Sequence, residues 1–296
     1  MQDLALTLRE RVLCELGSFA GRAFAGDGAG GDITFAVDEI AELALLEFLS
    51  HWAPRVAYQS EDPGLDAGAD ATDVLVVDPI DGTRPPMAGL ESACVAVALA
   101  PPGDGEPTRA DIGTACVVEI KSGDWLLAAR GEGIVHSPGP VRLSHNDDPR
   151  RMFWAYGFRG RPVRPTVEVL GELIDDSFVR GGTFELGSQS FAMTRLVTGQ
   201  LDAVIEVGSR VIDELPELRA KFERVGDGEV LDNSPYDLAA PWLRVREAGG
   251  IVTDGWGRPL DDHRLLGSGH EYQMTSISAA NAALHEALVS AIDVGI

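Results

Sequence analysis

Apolar residues recur at four-residue steps at Leu4, Leu8, Val12 and Leu16, which predicts a helix over residues 2–24. Gly26 to Gly31 reads as a flexible loop holding Asp27. A second, strongly apolar helix is expected from about 38 to 50, with Glu39 and Glu42 facing solvent. Residues 55–59 read as a short strand that leads into the polar turn Ser60-Glu61-Asp62-Pro63-Gly64 and a small loop over 65–72. The unbroken run Val74-Leu75-Val76-Val77 has the pattern of a strand buried on both faces. A short helix is expected to start at Arg84-Pro85-Pro86, since proline is tolerated in a first helical turn. Strands at 94–99, 111–120 and 124–129 form a meander of antiparallel character.

Chain breaks at 137–140 and 146–149 place a boundary near Asp148, dividing the chain into lobes 1–148 and 149–296. In the second lobe strands are expected at 152–156, 201–206, 251–253 and 273–278. Helices are expected at 165–175, 188–197, 235–248 and 281–292, the third stopped by Gly249-Gly250. Residues 207–233 read as irregular apart from one short charged helix at 217–224.

Composition adds bounds. A chain of 296 residues, 45% hydrophobic and 24% charged, can build one large domain or two lobes. The formal net charge of −23 argues against non-specific binding to nucleic acid and to anionic membranes, so neither is expected as a partner. No apolar run is long enough to span a bilayer, and the charged, amphipathic start of the chain does not read as a signal peptide. Cys14, Cys94 and Cys116 form neither a metal spacing nor a disulfide framework. They read as buried small apolar side chains in a reducing, cytoplasmic compartment.

The chemistry concentrates in Asp78-Pro79-Ile80-Asp81-Gly82-Thr83, directly behind the most apolar strand. In open α/β sheets ligands bind at the carboxyl ends of strands. Two carboxylates and a backbone carbonyl on one turn form an oxygen-only cluster suited to magnesium or calcium. Ser234, Pro235 and Asp237 fit the N-cap, N1 and N3 positions of the helix they open, so Asp237 has a capping role available by itself. Asp38 likewise falls in a first helical turn, where a carboxylate is favoured.

Taken together, these segments resemble the inositol monophosphatase superfamily of metal-dependent, lithium-sensitive phosphatases. Asp78-Pro79-Ile80-Asp81-Gly82-Thr83 looks like its central signature, and Asp237-Leu238-Ala239-Ala240 with Arg246-Glu247-Ala248-Gly249-Gly250 looks like its carboxy-terminal one. Ser60-Glu61-Asp62 is similar to an upstream Gly-Glu-Glu, while Gly187-Ser188 and Ala203-Val204-Ile205-Glu206 match further segments. Gly31-Asp32-Ile33-Thr34 through Asp38 and Glu42 is closest to the archaeal-type branch, which acts on inositol monophosphate and fructose 1,6-bisphosphate.

The resemblance implies a mixed α+β or α/β fold, layered α-β-α-β-α, and hydrolysis of a small sugar, polyol or nucleotide-like phosphate by a homodimer. It implies Mg2+ as cofactor, two to three ions, with Mn2+ as a substitute and Li+ and Ca2+ as inhibitors. Glu61, Asp78 and the Ile80 carbonyl would hold one ion, and Asp78, Asp81 and Asp237 a second. A third would use Glu61 and water. Asp38 and Thr83 would deprotonate the attacking water, Gly82 and Thr83 would hold the phosphate through their N–H groups, and Gly187, Ser188 and Glu206 would line the substrate pocket.

Two departures bear on substrate choice. Arg84-Pro85-Pro86-Met87 stands where the family carries an asparagine and an aromatic residue, and Glu206 lies 31 positions before Asp237, which points to an insertion near 209–231. Arg84, with Arg210, Arg219, Lys221 and Arg224 of that insertion folded over as a lid, is expected to select an anionic substrate. The rival expectation is a non-catalytic metal- or ligand-binding regulatory protein on the same fold, for which the altered loop after Thr83 speaks. A nucleic-acid-associated regulator is disfavoured by the charge.

Overall fold

The computed structural model describes residues 1–18, 20–27, 33–61, 64–66, 73–101, 106–136 and 139–296. Gly31, Asp32, Asp62 and Pro63 of the segments above lie outside the described residues. The first half runs α1 (Gln2–Leu13), β1 (Phe24–Asp27), β2 (Ile33–Phe35), α2 (Ala36–Trp52), β3 (Val56–Ser60), β4 (Gly64–Asp66) and β5 (Asp73–Asp81). It continues with α3 (Arg84–Met87), β6 (Cys94–Ala100), β7 (Thr114–Glu119), β8 (Trp125–Ala129) and β9 (Gly133–His136). The second half opens with β10 (Phe153–Tyr156), α4 (Val163–Ser177), β11 (Gly182–Phe184), α5 (Gln189–Val197) and β12 (Ala203–Glu206). Then come α6 (Gly208–Glu214), α7 (Arg219–Val225), α8 (Pro235–Glu247), β13 (Ile251–Thr253), β14 (Ser276–Ala279) and α9 (Ala282–Gly295).

Among the described residues a seven-stranded sheet has the order β4-β3-β5-β6-β7-β8-β9, and a five-stranded sheet the order β11-β10-β12-β14-β13. Both are mixed: β5 runs parallel to β3 and antiparallel to β6, and β12 runs parallel to β10 and antiparallel to β14. Alternation along each strand assigns its two faces. In the larger sheet Leu75, Val77, Val95, Val97, Cys116 and Val118 join the core under α1 and α2. Their neighbours Val76, Ala96, Ala98, Ala115 and Val117 face a central layer of α5 and α8. Ala155 and Val204 close that central layer from the smaller sheet, whose other face, with Trp154, Ala203, Ile205 and Ile277, packs on α4 and α9. The order of layers is therefore α-β-α-β-α. Both faces of β5 are covered, which is why its sequence is an unbroken apolar run. The alanines of β6 and β7 make room for the wholly buried Trp242 of α8.

Several expectations give way. The first helix ends at Leu13 instead of residue 24: Gly17 turns at φ +74°, and Phe24–Asp27 pairs antiparallel with Ile33–Phe35, converting part of the expected loop into a hairpin. Residues 207–233 hold two helices, α6 and α7, where one was expected. Cys94 and Cys116 are buried as expected, but Cys14 is exposed because it caps the end of α1. Glu42 does not face solvent: it lies one turn after Asp38 on the same helix face, is buried, and accepts a hydrogen bond from the Ser60 hydroxyl. Short edge strands β4, β9 and β11 were not expected, and each depends on a neighbouring strand for its pairing.

Candidate active site

A register shift between Asp78 and Asp81 interrupts the pairing of β5 with β6. A bulge of this kind re-aims side chains at the end of a strand. It lets two aspartates three positions apart face the same region. The carboxylates of Asp78, Asp81 and Asp237 offer oxygens that all lie within 4.8 Å of one another. Asp78 and Asp81 are buried. Burial, followed by the charges of Glu61, Asp81 and Asp237, holds the Asp78 carboxyl well above the usual carboxylate range. Glu61, which directly follows β3, therefore sits beside the trio; its charge and that of Asp237 also add to burial in raising Tyr236.

Each aspartate is fixed by the backbone. Asp78 Oδ1 accepts the Ile80 N–H at 3.0 Å. Asp81 accepts N–H groups from Gln189, at 3.2 Å, and Ser190, so it stands at the N-terminus of α5. Asp237 accepts the Ser234 N–H at 2.6 Å, the capping role read from the sequence. The cap and the place in the trio are compatible, because a carboxylate has two oxygens and several lone pairs. Asp38 behaves likewise: one oxygen caps α2 by accepting Phe35 N–H at 2.8 Å, and the other accepts the Thr83 hydroxyl at 3.0 Å. The Ile80 carbonyl lies 3.4 Å from the same hydroxyl.

Two glycines let the turns of this region touch. Gly82 has φ +86°, and a Cβ there would lie 2.5 Å from Ser188 Cβ and 2.8 Å from the carbonyl oxygens of Gly187 and Ser92. Gly187 has φ +70°, and its Cβ would lie 2.8 Å from Pro85 Cγ. Gly82→Ala therefore meets both a disfavoured dihedral and backbone that cannot withdraw. It is expected to lower the stability to urea by about 2 kcal/mol or more. Wild-type stability in that variant would show that the two turns do not approach this closely.

A cleft leads away from the trio, lined by Asp81, Asp237, Gly187, Ser188 and Glu206 together with residues of the second half. It thus gathers five of the twelve site positions singled out in the sequence. Arg84 is not part of this lining; its guanidinium lies 5.3 Å from the Phe35 ring centroid. The lid expected from the insertion is not formed by Arg210. That residue is buried and bound to Glu214, Asp293 and the Gly255 carbonyl. Arg219 pairs with Glu223 on its own helix.

The sequence reading missed Tyr156, Arg159, Arg161, Asp232 and Asn233, which also line the cleft. Arg161 is buried between two acids: Nη2 binds Asp232 at 2.9 Å, Nε pairs with Glu206, and Nη1 donates to the Arg159 carbonyl at 2.7 Å. Burial keeps Glu206 well above the usual carboxylate range even against Arg161. Burial opposes ionisation of Asp232 as well, but hydrogen bonds with Glu206 and the arginine outweigh it and hold Asp232 below that range. Glu206 is therefore anchored in an ion-pair triad and does not stand alone as an acceptor. The signal for Arg159 and Arg161 was available: they follow β10, whose neighbours β11 and β12 run parallel to it, at the strand end where ligands gather.

Among the described residues no helix is long and apolar enough to cross a membrane. The Nus factor SuhB of Salmonella typhimurium is 26% identical over 271 residues, 90% of this chain and 84% of that protein. The extragenic suppressor protein SuhB of Bartonella henselae superposes with a TM-score of 0.73 at 21% identity, covering 99% of this chain and 97% of that one. An IMPase of Thermotoga maritima gives 0.70 at 18% identity, covering 99% and 95%. Residues 4–294 match the sequence model described as the Inositol monophosphatase family. With that match spanning nearly its whole length, on a layered fold shared with these structures, the chain belongs to the inositol monophosphatase family.

Proposed function

We propose that this chain is a metal-dependent phosphatase acting on a small phosphate monoester: a sugar, polyol or nucleotide-like phosphate. The observation that carries this reading is the convergence of Asp78, Asp81 and Asp237, beside the hydrogen-bonded pair Asp38–Thr83, at the head of one cleft. The donor set fits a hard divalent cation such as Mg2+. It is made of oxygen alone, and three like charges brought within 4.8 Å favour a cation among them. Glu61, Asp78 and the Ile80 carbonyl would hold one ion, Asp78, Asp81 and Asp237 a second, and Glu61 a third. When bound, such ions supply Lewis acidity toward phosphate oxygens and toward water.

The protein's own part is positioning and proton transfer. The Thr83 hydroxyl donates to Asp38, so its lone pairs are left to accept a proton from water while its own proton moves to the Asp38 carboxylate. The N–H groups of Gly82 and Thr83 orient the phosphate, and Gly187, Ser188 and Glu206 border the leaving group. Thr83→Val and Asp38→Asn are each expected to lower kcat by about 10²–10⁴ with a smaller change in KM. The measurement is phosphate release in Mg2+ from a panel of sugar, polyol and nucleotide phosphates. Wild-type kcat in both variants would remove the relay; no release from any compound by the wild type would remove the reading.

Relatives named Nus factor SuhB favour a second reading, in which the chain works by binding as a factor. They also stand against the absence of a nucleic-acid partner expected from the net charge, and that expectation is withdrawn. The two readings separate in Asp81→Asn, which disables hydrolysis and leaves outer surfaces as they are.

A further inference from the structure

Arg109, shortly before β7, is wholly buried, and among the described residues none of its three guanidinium nitrogens has a hydrogen-bond partner. Its surroundings are set by the backbone. The Arg109 N–H donates to the His263 carbonyl at 2.9 Å, the Ala110 N–H to the Asp261 carbonyl at 3.0 Å, and the Leu265 N–H to the Pro107 carbonyl at 2.9 Å. Segments 107–110 and 261–265 are thus stitched together. The Arg109 carbonyl accepts Arg130 Nη2 at 2.9 Å, and the Arg130 guanidinium lies 5.6 Å from the ring centroid of Trp242 in α8. Ile112, Leu260 and Leu265 share one core with Leu238, in the first turn of α8. The Arg109 side chain is therefore enclosed where these segments meet the start of α8.

An enclosed cation without hydrogen bonds is costly unless an opposite charge compensates it. Other buried arginines have such charges in direct contact: Arg161 has Glu206 and Asp232, and Arg210 has Glu214 and Asp293. For Arg109 the compensating charge is that of Asp237, a member of the acidic trio. Burial pushes the guanidinium down to about 9, and Asp237 works against that, so the group stays cationic at neutral pH. The Asp237 charge also acts on Asp78, and so it is common to the trio and to Arg109. Arg244 is a contrast within the same helix layer. It is equally buried, but its Nη2 donates to the Thr194 hydroxyl at 2.8 Å, and the charges acting on it come from Cys94, Cys116 and Arg195. A fixed cation near three carboxylates makes their potential less negative, and with it weakens their attraction for a divalent ion.

We infer that Arg109 is a resident cation that loosens the hold of the acidic trio on divalent ions. This rests on the metal site of the proposed function, though not on turnover. The test is Mn2+ binding to the full chain without substrate, followed by calorimetry and by the electron paramagnetic resonance of free Mn2+. Arg109→Met, which keeps an unbranched side chain and removes the charge, is expected to bind Mn2+ about tenfold more tightly than the wild type. Arg244→Met is expected to bind it as the wild type does. Mn2+ should also raise the urea midpoint of Arg109→Met by more than it raises that of the wild type, which gives the same comparison on a weakened fold. The sign decides, because damage to the site would weaken binding instead. Unchanged or weaker binding in Arg109→Met, an equal tightening in Arg244→Met, or an Arg109→Met chain that stays unfolded even in Mn2+ would overturn the inference and leave the metal site standing. No Mn2+ binding by the wild type would overturn the metal site and the inference with it.

Discussion

Asp81→Asn and Asp237→Asn are each expected to reduce Mg2+-dependent phosphate release by at least about a thousandfold, or about 4 kcal/mol of barrier, while the chain stays folded. Each removes one formal charge and one ionic oxygen donor from the trio. Asn keeps one carbonyl oxygen, so at position 237 it can still accept from Ser234, whereas at position 81 it can accept from only one of Gln189 and Ser190, which bind separate oxygens of Asp81. In Asp237→Asn the metal-free protein should even gain stability, on the order of 1 kcal/mol, because Asp78 loses a neighbour whose charge raises its pKa. Phosphate release and urea unfolding in EDTA check the two halves of this prediction. Near-normal activity in Asp237→Asn would reduce that residue to its helix cap.

The largest stability effect is expected from Arg161→Met. The arginine is buried between Glu206 and Asp232, and its loss leaves two buried carboxylates facing each other without a cation. Breaking a buried pair in this way costs about 3–5 kcal/mol. The deficit should depend on pH with a definite sign. Burial already holds Glu206 above its ordinary value, and removing Arg161 raises it further. A carboxyl with a raised folded pKa binds more protons in the fold than in the unfolded chain, so its penalty grows as pH rises from its unfolded value through the folded one. The variant should thus recover part of its stability as pH falls toward about 4.5. Urea unfolding of both proteins across that range is the measurement. A loss under about 1 kcal/mol, independent of pH, would mean that water screens the triad.

What the sequence revealed, and what it hid, follows from the range of the interactions involved. β5 and its aspartates were legible because burial on both faces and the acidic turn are written in nine consecutive residues. Asp237 was legible for a similar reason, since its cap geometry occupies only four positions. The Arg161–Asp232 pair joins residues 71 positions apart, and nothing local in either segment announces the other. The β1–β2 hairpin and the edge strands β4, β9 and β11 are three or four residues long, too short for a period to register. Glu42 is a different case. It stands four residues after Asp38, so the same helical spacing that aims Asp38 inward also aims Glu42 inward, toward Ser60. The roles of individual site residues came through the family resemblance, while the close approach of the turn at Gly160 to Leu231 depends on how the insertion folds.

The proposed phosphatase function depends on a divalent ion held by the acidic trio. Its most direct test is the rate of phosphate release by the wild-type protein as free Mg2+ is raised from an EDTA-treated zero. No release is expected without the ion, and a saturable rise with it, on at least one small phosphate monoester. Release that is indifferent to EDTA, or none at any Mg2+ concentration from any compound of the panel, would contradict it.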